Sequence, residues 1–397
     1  MLVTRILGDC PGCKGENCFG NVSVCTDHVL QGCERCRYQS MVPLPPVKKK
    51  VLYLDQFFFS GAFRAGDQRF VEVAERVKHL AHLQLLVAPY SSVHEDETHQ
   101  WRGYREFNTA DLLEFIKKTA RGSEFEKDYQ VERTQVTKAW SAFLKGMPAD
   151  YLFESSEATR GSLHEWDDYF HIDVGGYYKD VELRRSLKTQ TVDELINAFD
   201  EWQRSEQSFE QDVAVEMHAA AKNYIDTYLM MVSRLARGDF AAVVDSPIVS
   251  KIVEHMLHWL SEEKSLDEKL SRCVEFFKSE YFNQVPCLWV ESRMFATLKA
   301  MVKRGAYSNR EDARRRLSGV FEDIKHISLY APYCDAFFMD QPMAELVSHP
   351  SINLEQRYGV RVFSLNRLGY FFAWLDEVEN EMSEEHRAAI AAAYPER

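Results

Sequence analysis

The chain has 397 residues, 45% of them hydrophobic and 13% aromatic, with a formal net charge of -13. Such a length and composition exclude a disordered chain and favour two or three globular units, and no apolar run reaches the length of a membrane span. The acidity argues against a protein that coats nucleic acid nonspecifically, since such chains carry a basic footprint. Lys48, Lys49 and Lys50, with Arg314, Arg315 and Arg316, are candidates for a local basic surface, each cluster read first as a solvated face. The opening MLVTRILGDCPGC has one Arg and a very short apolar patch, which does not read as a secretion signal; a cytoplasmic location is expected.

Six of the nine cysteines lie between Cys10 and Cys36. In an intracellular chain that density reads as metal binding rather than a disulfide framework, and Cys273, Cys287 and Cys334 read as packing residues. Cys10-Pro-Gly-Cys13 and Cys33-Glu-Arg-Cys36 are two CxxC knuckles 19 residues apart, a spacing that suits a tetrahedral zinc site with a hairpin (21–24 and 28–30) between them. Residues 1–45 are too few to fold on their own core, so a structural zinc would supply the folding energy. Cys18 and Cys25 stand as alternatives to a knuckle ligand, and His28 lies close by.

The segment 40–46 (SMVPLPP) reads as a stiff linker into Val51-Leu52-Tyr53-Leu54-Asp55, a short apolar strand ending in an acid. Helical periodicity follows over 67–83, then a second apolar run at 85–88 and an acid-rich helix start carrying His94, Glu95 and Glu97. Ser92 and Glu95 have capping-box spacing, which offers Glu95 a structural task and makes Glu97 the better ligand; both stay candidates. From about 104 to 307 the pattern is mostly helical, with amphipathic stretches at 110–119, 130–144, 192–235, 247–261 and 266–277 and a loop-rich aromatic break at 150–178.

The stretch 321–340, FEDIKHISLYAPYCDAFFMD, reads as a short helix ended by Pro332, a tight loop and a buried strand. Asp323 stands at the front of the helix and Asp340 at the carboxyl end of the strand. Asp335 reads as a strand-start residue, about 16 Å from Asp340 at 3.3 Å per residue. A helix at 342–347, a strand at 360–365 ending at Asn366, a helix at 368–382 and an Ala-rich tail close the chain. The alternation at both ends predicts an α/β fold, a parallel sheet flanked by helices and split in sequence by a large helical insertion. The expected division is 1–45, 46–103, 104–310 and 311–397.

In such a sheet Asp55, Glu95 or Glu97, Asp340 and Asn366 emerge along one edge, and Asp323 can reach it. Carboxylates gathered this way call for divalent cations, and oxygen-only ligands suit Mg²⁺ or Mn²⁺. Water activated there can hydrolyse a phosphodiester. Asn366 is placed to orient a water or a metal-bound group. His94 and His326 read as hydrogen-bonded structural histidines with phosphate contact as the alternative, and Arg64 has only its nearness to Asp55 to recommend it.

The strand KVLYLDQ, the segment PYSSVHEDE, and EDIKHISLYAPYCDAFFMD followed by YGVRVFSL resemble a PIN-like nuclease domain over 51–102 and 318–382. The resemblance implies a catalytic, metal-binding set of Asp55, Glu97 (or Glu95), Asp323 and Asp340, the last two separated by 17 positions as in that family. It also implies an endonuclease acting on RNA ahead of DNA, open to a toxin role and to a regulatory or inhibitor protein as partner. The long insertion and the cysteine-rich start depart from the family's compact form. The alternative is a noncatalytic nucleic-acid-binding or scaffold protein that uses the zinc ribbon and the basic clusters. A haloacid-dehalogenase type of phosphatase is disfavoured, because Gln56 and Phe57 follow Asp55 where a DxD pattern is needed.

Overall fold

The computed structural model describes residues 2–101, 103–149, 152–160, 163–167, 181–247 and 249–395. Of the aromatic break read over 150–178, Gly175-Gly176-Tyr177-Tyr178 lies outside the described residues.

The cysteine-rich start is a four-stranded antiparallel sheet of β1 (Arg5–Gly8), β2 (Phe19–Val24), β3 (His28–Cys33) and β4 (Gln39–Pro43), in that order. The segment expected to be a linker therefore begins as a strand, with Gln39 facing Gly32 and Pro43 facing His28. Pro43 is tolerated because it ends an edge strand. Gly20 permits the close pairing of β1 and β2, since a Cβ there would lie 1.9 Å from the Arg5 carbonyl oxygen.

The second sheet holds β5 (Lys50–Leu54), β6 (Leu86–Val87), β9 (Ala336–Phe338) and β10 (Arg361–Phe363), ordered β10-β9-β5-β6; a two-stranded pair, β7 (Glu124–Phe125) with β8 (Thr159–Arg160), is bridged to Tyr90 just beyond β6. All three ladders of the second sheet are parallel, with Leu52 opposite Ala336 and Leu54 opposite Phe338. This is a mixed α/β architecture with a parallel sheet. The strand alternation sorts the core: Val51, Tyr53 and Phe337 face one apolar cluster, and Leu52, Leu54 and Phe338 face another with Phe58, Val77, Phe371 and Trp374.

The helical region shares its core with the sheet. Trp140, Phe276, Phe282, Val290 and Leu298 belong to the same apolar cluster as Val51, Tyr53 and Phe337. The stretch expected as continuous amphipathic helix over 192–235 is broken into Val181–Asn197, Phe199–Arg204 and Phe209–Ala236. Ser208 starts the last of these with a capping box to Gln211, which is a stronger local signal than unbroken apolar periodicity. The Ala-rich tail forms a helix, Glu384–Ala393, that ties the first sheet to the rest. Ala389, Ala393 and Tyr394 pack with Val29, Leu44 and Val47, and Asn21 Nδ2 donates to the carbonyls of Ala392 (2.9 Å) and Ala393 (3.1 Å). No helix among the described residues is long and apolar enough to cross a membrane.

Candidate functional site

Cys10, Cys13, Cys33 and Cys36 place their sulfurs within 4.8 Å of one another. Cys10 Sγ lies 3.7 Å from Cys36 Sγ and Cys13 Sγ 3.8 Å from Cys33 Sγ. A thiolate tetrahedron with bonds of about 2.3 Å has edges of about 3.8 Å, so the quartet can hold a structural metal such as zinc. Backbone N–H groups of Gly12, Arg35 and Tyr38 donate to the sulfurs of Cys10, Cys33 and Cys36 at 3.3, 3.3 and 3.4 Å, an arrangement that favours thiolate. Burial pushes the Cys33 thiol up, but the Arg35 and Cys36 N–H groups and neighbouring thiols outweigh it and bring the thiol down to about 6. Cys18 adjoins the quartet, 3.5 Å from Cys33 Sγ, while Cys25 sits beside Ser23 and His28 pairs with Asp27.

The carboxyl edge of the parallel sheet carries the second site. Chain geometry puts an acid at the end of both central strands. Asp55 follows β5 and caps the helix Gln56–Arg64, its Oδ1 accepting from Gln56 N at 2.7 Å. Asp340 follows β9 and caps the helix Gln341–Val347, its Oδ1 accepting from Met343 N at 2.8 Å. Asp323 lies in the first turn of the helix Val320–Tyr330 and folds back over Gly319, where a Cβ would come within 3.3 Å of Oδ2. Glu97 belongs to the helix Ser92–Gln100, which is tied to the Asp55 helix by Gln56 Nε2 donating to Thr98 Oγ1 at 3.0 Å.

Asp55 and Asp323 are each within electrostatic reach of the other acids. Burial, then Glu97 and Asp340, pushes the Asp55 carboxyl up to about 8, although the Gln56 and Asp340 N–H groups pull it down. Asp323 rises well above the ordinary carboxylate range through burial, then Asp55, Glu97 and Asp340. Glu97 and Asp340 also rise, each mainly through burial. Among the described residues only the cysteine quartet has donors drawn within 4.8 Å of one another; the carboxylates stand less tightly grouped.

Two residues without a sequence signal complete the edge. Lys188, on the helix Val181–Asn197, places Nζ 3.2 Å from Glu97 Oε1 and 3.3 Å from Glu322 Oε1. Glu322 is legible only afterwards, as the neighbour of Asp323. Lys188 lies far from either in sequence.

Beneath the acids runs a buried polar chain. The Ser91 backbone N–H donates to His94 Nδ1 at 2.9 Å, so Nδ1 is an acceptor. The Ser91 hydroxyl then donates to the same atom (3.1 Å), His326 Nε2 donates to Ser91 Oγ (3.0 Å), and Tyr53 OH donates to His326 Nδ1 (2.6 Å). Both histidines are neutral in this arrangement: burial lowers His94 to about 4 and His326 well below its ordinary range. With His94 and His326 fully enclosed, neither faces solvent where a phosphate would lie.

Other candidates lie elsewhere. Ser91, not Ser92, caps the helix Ser92–Gln100, and His94 rather than Glu95 closes its capping box. Glu95 points to Lys117, 3.5 Å away. Asn366 is exposed in the 3-10 turn Leu365–Arg367; the buried polar residue after β10 is Ser364, which donates to Gln341 Oε1 at 2.6 Å. Arg64 stacks on Tyr104, and Asp335 is engaged at the start of its strand by Lys50 (3.2 Å) and Val51 N (2.8 Å). Five of the six residues in the basic clusters have acidic partners within the chain, Lys49 with Asp167, Lys50 with Asp335, Arg314 with Asp193, and Arg315 and Arg316 with Asp312, while Lys48 is exposed.

No protein-family model, curated protein or solved structure matches this chain. The resemblance to PIN-like nucleases thus rests on the chain's own residues.

Proposed function

We propose that this protein is a PIN-like, metal-dependent nuclease that hydrolyses phosphodiester bonds, RNA ahead of DNA. The observation that supports it is the meeting of Asp55, Glu97, Asp323 and Asp340, from four separate stretches, at the carboxyl edge of a parallel sheet. Burying acids together is costly unless a ligand compensates, and perturbed carboxyls at a strand edge mark functional sites. Donor chemistry fits a hard divalent ion, Mg²⁺ or Mn²⁺, because the side chains offered are carboxylates. Bound there, such an ion supplies positive charge that activates water and offsets charge on the phosphate.

The chain's own residues do the positioning. Asp55 and Asp340 are locked by the N–H groups they cap, so their carboxylates are held in place before any ligand arrives. Tyr53 keeps its proton, being raised well above its ordinary range by burial and then by Asp55, Asp323 and Glu97, and so anchors the polar chain below. The cysteine quartet keeps the first sheet folded.

The test is cleavage of labelled single-stranded RNA and DNA by the full chain with Mn²⁺, with Mg²⁺ and with chelator, beside Asp340→Asn. Metal-dependent cleavage that disappears in the variant supports the reading and chooses the substrate. Absence of cleavage with either metal, or equal cleavage by the variant, rejects it in favour of a noncatalytic binding protein.

A further inference from the structure

A cavity of about 720 Å³ opens in the helical region, between the helices Phe209–Ala236, Leu266–Phe277, Glu280–Asn283 and Pro286–Lys303. No residue of the acid edge or of the cysteine quartet lines it. Met217, Ala221, Ile225, Phe277 and Trp289 give it an apolar wall, and its size is that of a pocket for a small organic ligand. Charge is sorted there by exposure. Glu210, Lys222, Asp226, Lys278 and Glu280 are exposed, and Arg293 alone among the lining Lys, Arg, Asp and Glu is drawn in from solvent.

Arg293 is poorly paired for a group so placed. Its guanidinium lies over the rings of Trp289 (4.8 Å) and Phe209 (5.6 Å), Nη1 donates to the Ser351 carbonyl at 3.3 Å, and the exposed Glu210 reaches Nη1 and Nη2 only at 3.5 Å. Nε is enclosed with no acceptor. Arg357 lies over the same Trp289 ring (4.6 Å) and donates to Gln284 Oε1 (2.5 Å), with no acid paired to it among the described residues. A guanidinium held against aromatic rings with an N–H group unspent suits a carboxylate, and the apolar wall beside it suits a hydrocarbon body.

We propose that this cavity is a binding site for a small amphipathic carboxylate, its apolar chain against Met217, Ile225 and Phe277 and its head group on Arg293. Glu210, exposed and at the limit of hydrogen-bond reach, is the acid that the head group displaces. The site shares no residue with the acid edge and stands or falls independently of the metal-dependent reading.

The experiment is displacement of 8-anilinonaphthalene-1-sulfonate, an anion that fluoresces in apolar surroundings, from the zinc-loaded full chain by decanoate and by decan-1-ol. Wild type is expected to bind the probe saturably and to release it to decanoate. Arg293→Met should weaken decanoate by about tenfold and decan-1-ol by less than about threefold, the difference being one charge-assisted hydrogen-bonded contact. Ala221→Trp, which fills the cavity, should abolish binding of all three. No displaceable probe in wild type overturns the proposal, as does an equal effect of Arg293→Met on acid and alcohol. Probe binding unchanged in Ala221→Trp also overturns it, by placing the probe on an exposed apolar surface instead. Should Ala221→Trp fail to fold, Arg293→Met decides the question alone, since it keeps a long side chain against Trp289 and Phe209.

Discussion

The cysteine quartet and the acid edge gather charge by opposite routes. Cys10, Cys13, Cys33 and Cys36 lie within one small sheet, on two tight turns, and their sulfurs already stand at tetrahedral spacing. Asp55, Glu97, Asp323 and Asp340 are brought together only by the packing of a whole sheet and its helices; burial raises all four carboxyls, and neighbouring acids raise Asp55 and Asp323 further. A local turn can preform a thiolate site at little cost, because its own backbone N–H groups donate to the sulfurs. Assembling carboxylates needs a core large enough to hold them against one another.

The largest expected effect lies on the thiol side. Chelation or Cys33→Ser should unfold the first sheet, because a structural zinc supplies about 10–16 kcal/mol to so small a unit. Limited proteolysis and zinc content read this; a sheet that survives metal-free would remove the contrast. On the acid side, Asp340→Asn should lower cleavage by about 10³-fold with little loss of thermal stability, since Asn caps a helix as well as Asp does. A melting temperature that falls with activity would make Asp340 structural.

Glu291 sharpens the comparison, as a half-buried acid away from both sites. It lines a cavity of about 500 Å³ with Glu132, Glu216 and Lys325, and burial, then Glu132, raises it to about 7. Because its folded pKa lies above its ordinary value of 4.5, its burden is absent below pH 4.5, grows between 4.5 and 7, and is complete above. Glu291→Gln should therefore stabilise the protein by about 3 kcal/mol at pH 8 and by nothing at pH 4.5. Denaturant melts at both pH values check it; a gain independent of pH would trace to packing instead. The smallest effect expected is Tyr53→Phe, which orphans His326 Nδ1 and should cost about 1–2 kcal/mol in chemical denaturation while leaving zinc content unchanged.

Much of this was legible because it is local. The CxxC spacing, the apolar run before Asp55 and the helix, loop and strand of 321–340 each lie within one window of sequence, where periodicity and turn residues carry the signal. The cap falls one position before the one that the Ser92 and Glu95 spacing predicts: Ser91 and Ser92 are both good caps, and His94 closes the box because its ring is packed against Tyr53 and His326. Gln39–Pro43 is a strand because β3 offers it a partner, which Pro43 and the prolines just after it conceal.

By itself, then, the sequence marked the two CxxC knuckles, with Cys18 and Cys25 left as alternatives, the strand-end acids, and the α/β alternation at both ends of the chain, since each shows in a local pattern of residues. Only the tertiary structure decided that Glu97 rather than Glu95 reaches the acid edge, that Lys188 and Glu322 join it, and that Lys49, Lys50, Arg314, Arg315 and Arg316 meet acids of the same chain. Those choices depend on which helix faces point at one another. That is set by the shared core of sheet and helices, a property of residues hundreds of positions apart.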